Sequence, residues 1–170
     1  LNAPIIYVSA PAGSGKSTLI NQWLRQAQVP FIWVALDESD DDRVQFWQLV
    51  FASIRQVLPQ VLPDVGLTTV RTNRTVLTEI INRIQQIENP HCLVLDDFHH
   101  IKNKAIQGDV ALLLEHLPQQ LRVVLTSRTQ APFNVGRWRA KGWYVDLDAD
   151  DLRFTLDEGV AYLSQMTDLP

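Results

Sequence analysis

Several features that would assign the chain to other classes of protein are missing. There is a single cysteine in 170 residues, so no disulfide can form within the chain and a reducing compartment, the cytoplasm, is expected. No apolar run approaches the roughly 20 residues of a membrane-spanning helix. Positive charge is scarce, with 15 Lys and Arg against 19 Asp and Glu. Because nucleic-acid-binding surfaces are normally basic, we expect no direct nucleic-acid contact by this chain.

The length and the first residue bear on domain organisation. A chain of 170 residues suffices for one domain with a sizeable core. Leu1 is not a methionine and an apolar run begins at Ile5, so we expect a piece cut from a longer protein. We predict one domain over residues 1–150 and the start of a following helical segment over 151–170.

Short apolar runs alternate with helical patterns. Runs without in–out alternation predict strands buried on both faces, at 5–9, 31–36, 92–95, 122–127 and, more weakly, 143–147. Apolar residues at helical spacing predict helices over 17–28, 44–58, 76–87 with Asn73 as the cap, and around 110–117. The longest predicted loop is 59–72. The alternation predicts an α/β fold with a mainly parallel sheet.

The strongest motif follows the first predicted strand. Residues 10–17 read Ala-Pro-Ala-Gly-Ser-Gly-Lys-Ser, the Walker A pattern with Ala10 in place of its first glycine. The two glycines let backbone N–H groups point at an anion. Lys16 brings a charge to the β- and γ-phosphates, and the Ser17 hydroxyl can ligate Mg²⁺. A chance Gly turn is the competing interpretation. The predicted nucleotide-binding residues are Ala12, Gly13, Ser14, Gly15, Lys16, Ser17 and Thr18.

A second motif ends the third predicted strand. Cys-Leu-Val-Leu-Asp-Asp at 92–97 is the Walker B pattern, in which Asp96 holds Mg²⁺ and Asp97 orients or deprotonates an attacking water. In the competing interpretation, the two acids only begin a polar loop and bind nothing. The Asp-x-x-Gly of GTPases is absent, and the Asn-Lys at 103–104 has Ile106 at the fourth position, where a guanine-reading motif has an aspartate. Adenine is therefore the expected base.

An arginine follows the fourth predicted strand. Parallel strands end on the side where the phosphate loop lies and where ligands gather. Arg128 could therefore contact the γ-phosphate, which gives the predicted catalytic set Lys16, Asp97 and Arg128. A solvated loop residue is the alternative.

These motifs together resemble a known family. Ser-Ala-Pro-Ala-Gly-Ser-Gly-Lys-Ser-Thr-Leu at 9–19, Trp-Val-Ala-Leu-Asp-Glu at 33–38, Leu-Val-Leu-Asp-Asp-Phe-His at 93–99 and Leu-Thr-Ser-Arg at 125–128 occur in the family's order. The chain resembles the signal-transduction ATPases with numerous domains, and among them the large ATP-binding regulators of the LuxR family, the group of the maltose-regulon activator.

The resemblance implies a P-loop NTPase fold, three α/β/α layers around a five-stranded sheet with the arginine strand between the Walker A and Walker B strands. It implies an ATP/ADP switch with slow hydrolysis, in which the ATP form self-associates. Lys16, Ser17, Asp96, Asp97 and Arg128 match the family's phosphate, magnesium, acidic and sensor positions, and His99 matches a common histidine without an assigned role. The family's upstream adenine-binding segment, winged helix, sensor repeats and DNA-binding effector are not found in this sequence.

Two weaker patterns have competing interpretations. The cluster Gly-Arg-Trp-Arg-Ala-Lys-Gly at 136–142 suits a solvated helix whose Trp138 packs on the sheet, a kinase-like lid, or a nucleic-acid contact; we favour the first. His91, Cys92, His99 and His100 fit no zinc module, so we interpret Cys92 as a core residue. The acids at 37–42 suit a helix cap.

Four functions compete. The leading hypothesis is a slow regulatory ATPase that uses ATP, ADP and Mg²⁺. The alternatives are a nucleotide-binding scaffold without turnover, a small-molecule kinase with Arg137 and Arg139 in a lid, and a pure interaction domain with a relic phosphate loop.

Overall fold

A computed structural model describes residues 3–62 and 74–152. The predicted cap at Asn73, most of the predicted loop at 59–72 and the predicted helix after residue 152 lie outside these ranges. The strands are β1 (Ile5–Ser9), β2 (Phe31–Ala35), β3 (His91–Asp96), β4 (Leu121–Ser127) and β5 (Tyr144–Leu147). The helices are α1 (Lys16–Ala27), α2 (Arg43–Val57), α3 (Arg74–Ile84), α4 (Lys104–Glu115) and α5 (Gly136–Ala140).

The five strands form one parallel sheet in the order β2-β3-β4-β1-β5. This confirms the predicted α/β fold, and it places the arginine strand β4 between β1 and β3 as the family resemblance implied. Leu95 lies opposite Leu125, and Ser9 lies opposite Ser127. The residues that follow β1, β3 and β4 therefore meet beyond the carboxyl ends of these strands, on one side of the sheet.

The sheet is covered on two faces by unequal layers. Helices α2, α3 and α4, together with Trp138 of α5, bury one face in the larger core. On the other face, the buried helical residues in the described ranges are Ile20 and Leu24 of α1. Trp138 is 4% exposed, which confirms that the aromatic of the 136–142 cluster packs on the sheet. Cys92 is a buried core residue of β3, as expected.

The edge strand β2 departs from the prediction that no strand alternates. Ile32 and Val34 are buried, whereas Phe31 and Trp33 are half-buried and Ala35 is exposed. The alternation arises because α2 covers one face of β2, while α1 lies over the central strands of the opposite face. An apolar run therefore predicted the strand correctly but overestimated its burial.

Acidic residues shape the connection from β2 to α2. Asp37 accepts a hydrogen bond from Ser39 N at the start of a 3-10 turn at Glu38–Asp41, and Asp42 caps α2 by accepting from Val44 N and Gln45 N at 2.9 and 3.0 Å. The predicted capping role of this acidic stretch is confirmed. Within residues 3–62 and 74–152, no helix is both long and apolar enough to cross a membrane.

Candidate nucleotide-binding site

The phosphate loop joins β1 to α1 through two glycines in the left-handed region. Gly13 has φ 77° and Gly15, the residue before α1, has φ 83°. A Cβ at either position would have no atom within 4 Å. Glycine is therefore required here by the backbone conformation and not by a lack of room for a side chain. Backbone N–H groups of such a glycine loop and of the helix N-terminus that follows it stabilise a bound anion.

Lys16 is held in place although it carries a charge. Its side chain is only 6% exposed, and Nζ donates hydrogen bonds of 2.9 Å to the carbonyls of Ala10 and of Pro11. An ammonium group has three donors, so one remains for a phosphate oxygen. The loop thereby orients the lysine before any ligand binds.

A network of hydroxyl groups fixes the first acid of the Walker B motif. Ser17 Oγ donates to Asp96 Oδ1 and Oδ2 at 3.1 and 3.0 Å. Thr126, which is fully buried, also donates to Asp96, and its Oγ1 accepts from Asp97 N at 2.9 Å. Both predicted magnesium ligands thus lie within hydrogen-bonding distance of each other.

The second acid occupies an unusual backbone conformation. Asp97 has φ 59°, a region that non-glycine residues rarely adopt. A 3-10 turn, Phe98–His100, follows it, and Phe98 is buried. Asp97 and Arg128 line a cleft of about 310 Å³ together with Ala12, Gly13, Gly15, Lys16, Ser17 and Thr18. Tyr7 donates to the carbonyl of Thr129 at 3.0 Å, which anchors the chain just after Arg128.

His99 lies behind the second acid. Its Nδ1 is 3.6 Å from Asp97 Oδ1, its side chain is 12% exposed, and neither ring nitrogen has a hydrogen-bond partner among the described residues. Burial lowers the pKa of His99, and electrostatic interaction with His100, Arg128 and Lys16 lowers it further, while Asp97 opposes them. Together these effects favour the neutral form of the ring.

Most, but not all, of the predicted site residues line the cleft. Ser14 instead closes the loop, because its hydroxyl donates to the carbonyl of Pro11 at 2.9 Å. Asp96 lies behind Ser17 and is 8% exposed. Arg137 lines a separate cavity near Trp143, and Arg139 pairs with Asp146 at 2.9 Å. The structure gives these two arginines no place over the phosphate cleft.

Sequence reasoning missed Thr126 and gave His99 no role. Thr126 stands two residues before Arg128, and the register of β4 against β3 places it beside Asp96. The burial of His99 has no comparable local signal, since it depends on the turn that follows Asp97.

Larger cavities lie away from the phosphate loop. One of about 590 Å³ lies between α3 and α4 and reaches Trp143. Another of about 590 Å³ runs along α1 beside Trp33. The smaller cleft is the one in which a lysine, an aspartate and an arginine converge, so chemistry identifies the site better than size does.

The chain matches known proteins along most of its length. A family described as an AAA domain matches residues 1–133. The chain is 31% identical over 167 residues to the serine/threonine-protein kinase PknK of Mycobacterium tuberculosis, a match that covers 94% of this chain and 15% of that protein. It is 25% identical over 166 residues to the HTH-type transcriptional regulator MalT of Vibrio cholerae, covering 95% of this chain and 18% of that protein. The chain thus spans less than a fifth of the length of these curated relatives.

Solved structures share the fold. Cdc6p from Pyrobaculum aerophilum superimposes with a TM-score of 0.59 at 13% identity, over 95% of this chain and 42% of that one. The Aeropyrum pernix ORC1 protein, solved in complex with DNA, gives 0.56 at 14% identity, over 98% and 43%. At these identities the similarity shows the fold alone. The match to MalT confirms the resemblance to the LuxR-family regulators.

Proposed function

The chain belongs to the AAA domain family of P-loop NTPases, and from that premise we propose that it binds Mg-ATP and hydrolyses it slowly as a regulatory switch. The observation that carries the proposal is the convergence of Lys16, Asp97 and Arg128 on one cleft, with the Ser17–Asp96 pair at its base. These groups come from a helix and from the ends of two strands. A loop that merely joined β1 to α1 would need none of them.

The phosphates are bound by the loop and its lysine. Two left-handed glycines and the start of α1 present backbone donors, and the third donor of Lys16 adds a charge-assisted bond. Thr18 lines the same cleft at the first turn of α1. The loop therefore suits a polyphosphate, and the absence of guanine-reading motifs favours adenine.

The residues also fit a magnesium ion. Ser17 Oγ and the Asp96 carboxylate, 3.0 Å apart, are the oxygen ligands that Mg²⁺ prefers. The ion would neutralise charge on the β- and γ-phosphates. Thr126 keeps the Asp96 carboxylate turned toward Ser17, since it donates to the same carboxylate.

Asp97 is the group that orients or deprotonates the attacking water. It lies in the cleft with Arg128, which stabilises charge on the transferring phosphoryl group. The separation of 3.6 Å between His99 Nδ1 and Asp97 Oδ1 is longer than a hydrogen bond, so His99 does not fix this carboxylate through one. Slow turnover is what the resemblance to the regulatory ATPases implies.

The loop after Asp97 is connected to the surface beside β2. Asp41 Oδ1 accepts hydrogen bonds from Lys102 N and Asn103 N at 2.8 and 2.7 Å. A change at the γ-phosphate that moves Asp97 can therefore reach the 3-10 turn before α2. We infer that the output of the switch is conformational, with self-association in the ATP form. Winged-helix, sensor and effector domains of a longer polypeptide would be its partners.

Phosphate release under single-turnover conditions tests this function. We expect slow release with Mg-ATP, below the roughly 1–100 s⁻¹ of kinases, that is lost in Asp97→Asn. Binding without release in either protein would favour the scaffold. Transfer to a small-molecule acceptor would favour a kinase, although the positions of Arg137 and Arg139 give that alternative no support.

A further inference from the structure

A basic groove lies at the amino end of β5. Arg137 and Lys141 border it, and neither forms an ion pair with any residue in the described ranges. Trp143 is 36% exposed and lines both the cavity of about 590 Å³ between α3 and α4 and a smaller one of about 120 Å³. Lys141 Nζ lies 4.4 Å from the centroid of the Trp143 ring. We call the surface formed by these two cavities the basic groove.

The groove has a partly apolar floor in the larger cavity, where Asn82 and Gln85 also lie, and a rim whose two cations border the smaller cavity. Ile81, Leu112 and Leu117 line the larger cavity. Arg137 and Lys141 line the smaller cavity, and His116 with one acid, Glu115, lines both. The net charge of the rim is positive, although the chain as a whole carries -4. A partner with an apolar side chain flanked by carboxylates would complement this surface.

An acidic edge with that chemistry lies elsewhere on the same chain. Asp37, Glu38, Asp40, Asp41 and Asp42 follow β2, and none of the five forms an ion pair within residues 3–62 and 74–152. Val44, in the first turn of α2, is 49% exposed beside them. We call residues 37–44 the acidic edge.

One copy of the chain cannot bring these two surfaces together. Strands β2 and β5 are opposite edges of the sheet, four strand spacings or about 19 Å apart. The acidic edge follows the carboxyl end of β2, and the basic groove precedes the amino end of β5. The two surfaces therefore lie at opposite edges of the sheet and at opposite ends of its strands, which suits two copies in head-to-tail contact.

We propose that the basic groove binds the acidic edge of a second copy of this chain, with Val44 against the cavity beside Trp143. The proposal rests on the self-association included in the proposed function and assigns it a pair of surfaces. The contact is heterologous, so each copy uses one surface and leaves the other for a third copy. The acidic edge also holds the loop after Asp97 through Asp41, which places the contact next to the nucleotide switch.

Two variants separate the surfaces. Arg137→Glu with Lys141→Glu disrupts the groove, and Glu38→Lys with Val44→Lys disrupts the edge. The side chains of Glu38 and Val44 are exposed and cap no helix, so the fold should persist. Arg25→Glu is the control, since this cation is exposed near the end of α1 and lines neither surface.

Sedimentation velocity with Mg-ATP over a range of protein concentrations gives the readout. We expect the wild type and the control to self-associate, and each surface variant to associate about tenfold more weakly or not at all. An equimolar mixture of the two variants should form a one-to-one dimer and nothing larger, because only one intact groove can meet one intact edge. Raising salt from about 0.1 M to about 1 M should weaken the contact, since the Debye length falls from about 10 to 3 Å.

Three results would overturn the proposal: a monomeric wild type at every concentration, surface variants that associate like the wild type, or a mixture that stays monomeric. The proposed nucleotide switch fails separately. Association that is equal with Mg-ADP and Mg-ATP would keep the interface and refute the switch.

Discussion

Replacing Thr126 with valine removes one hydroxyl group from the interior of the site while the shape of the side chain is kept. That hydroxyl donates to Asp96 and accepts from Asp97 N at 2.9 Å, in a side chain that is fully buried. Valine can make neither bond. The change therefore loosens both acids of the Walker B motif without altering the charge.

The magnitude follows from the two bonds. A hydrogen bond to a charged acceptor contributes about 1.5–3 kcal/mol, and a buried N–H left without a partner costs about 1–3 kcal/mol. Because water can reach part of the space around Asp97, we expect the free energy of unfolding to fall by about 2–4 kcal/mol in Thr126→Val. Thr126→Ser keeps the hydroxyl and loses one methyl group, a cost of about 1 kcal/mol.

Urea denaturation of both variants measures this difference, and nucleotide titration tests its functional consequence. We expect the gain in ATP affinity on adding Mg²⁺ to shrink in Thr126→Val, because Asp96 is no longer turned toward Ser17, and to be preserved in Thr126→Ser. Equal stability of the valine and serine variants, with equal magnesium dependence, would refute the role assigned to Thr126.

Three further results are expected. Burial lowers the pKa of His99 below 6.5, so the unfolded chain binds more protons than the folded one just below that pH. The free energy of unfolding, measured by urea denaturation at several pH values, should therefore fall as the pH drops through 6.5. The fall should be smaller in His99→Gln. Gly15→Ala should cost about 1 kcal/mol in the same assay because of its φ of 83°, and an unchanged midpoint would contradict the strain argument. Asp97→Asn should abolish phosphate release while calorimetry shows nearly unchanged Mg-ATP affinity; release at the wild-type rate would remove Asp97 from the mechanism.

The parts of the fold that depend on local pattern were predictable from the sequence. The boundaries of β1 and the placement of the loop around Gly13 and Gly15 follow from an apolar run, two glycines and an amphipathic helix, all within 5–27. The position of β4 between β1 and β3 came from the family resemblance, because strand order is not readable from periodicity.

Features that depend on long-range packing were not predictable. The half-exposure of Phe31 and Trp33 depends on how far α1 reaches across the sheet. The bonds of Thr126 depend on the register of β4 against β3, in which Leu125 lies opposite Leu95. The burial of His99 depends on a 3-10 turn that begins after a left-handed aspartate. The first two are set by neighbours distant in sequence, and the third by the left-handed conformation of a non-glycine residue.

Calorimetric titration with Mg-ATP, Mg-ADP and Mg-GTP, repeated on Lys16→Ala, tests the central claim most directly. The proposed function predicts binding of both adenine nucleotides, and this binding should be lost when the Lys16 ammonium, which donates to the carbonyls of Ala10 and Pro11, is removed. Weak or no binding of Mg-GTP is expected. Adenine-nucleotide binding of equal affinity in the wild type and in Lys16→Ala would contradict the account, because the phosphates would then be bound elsewhere.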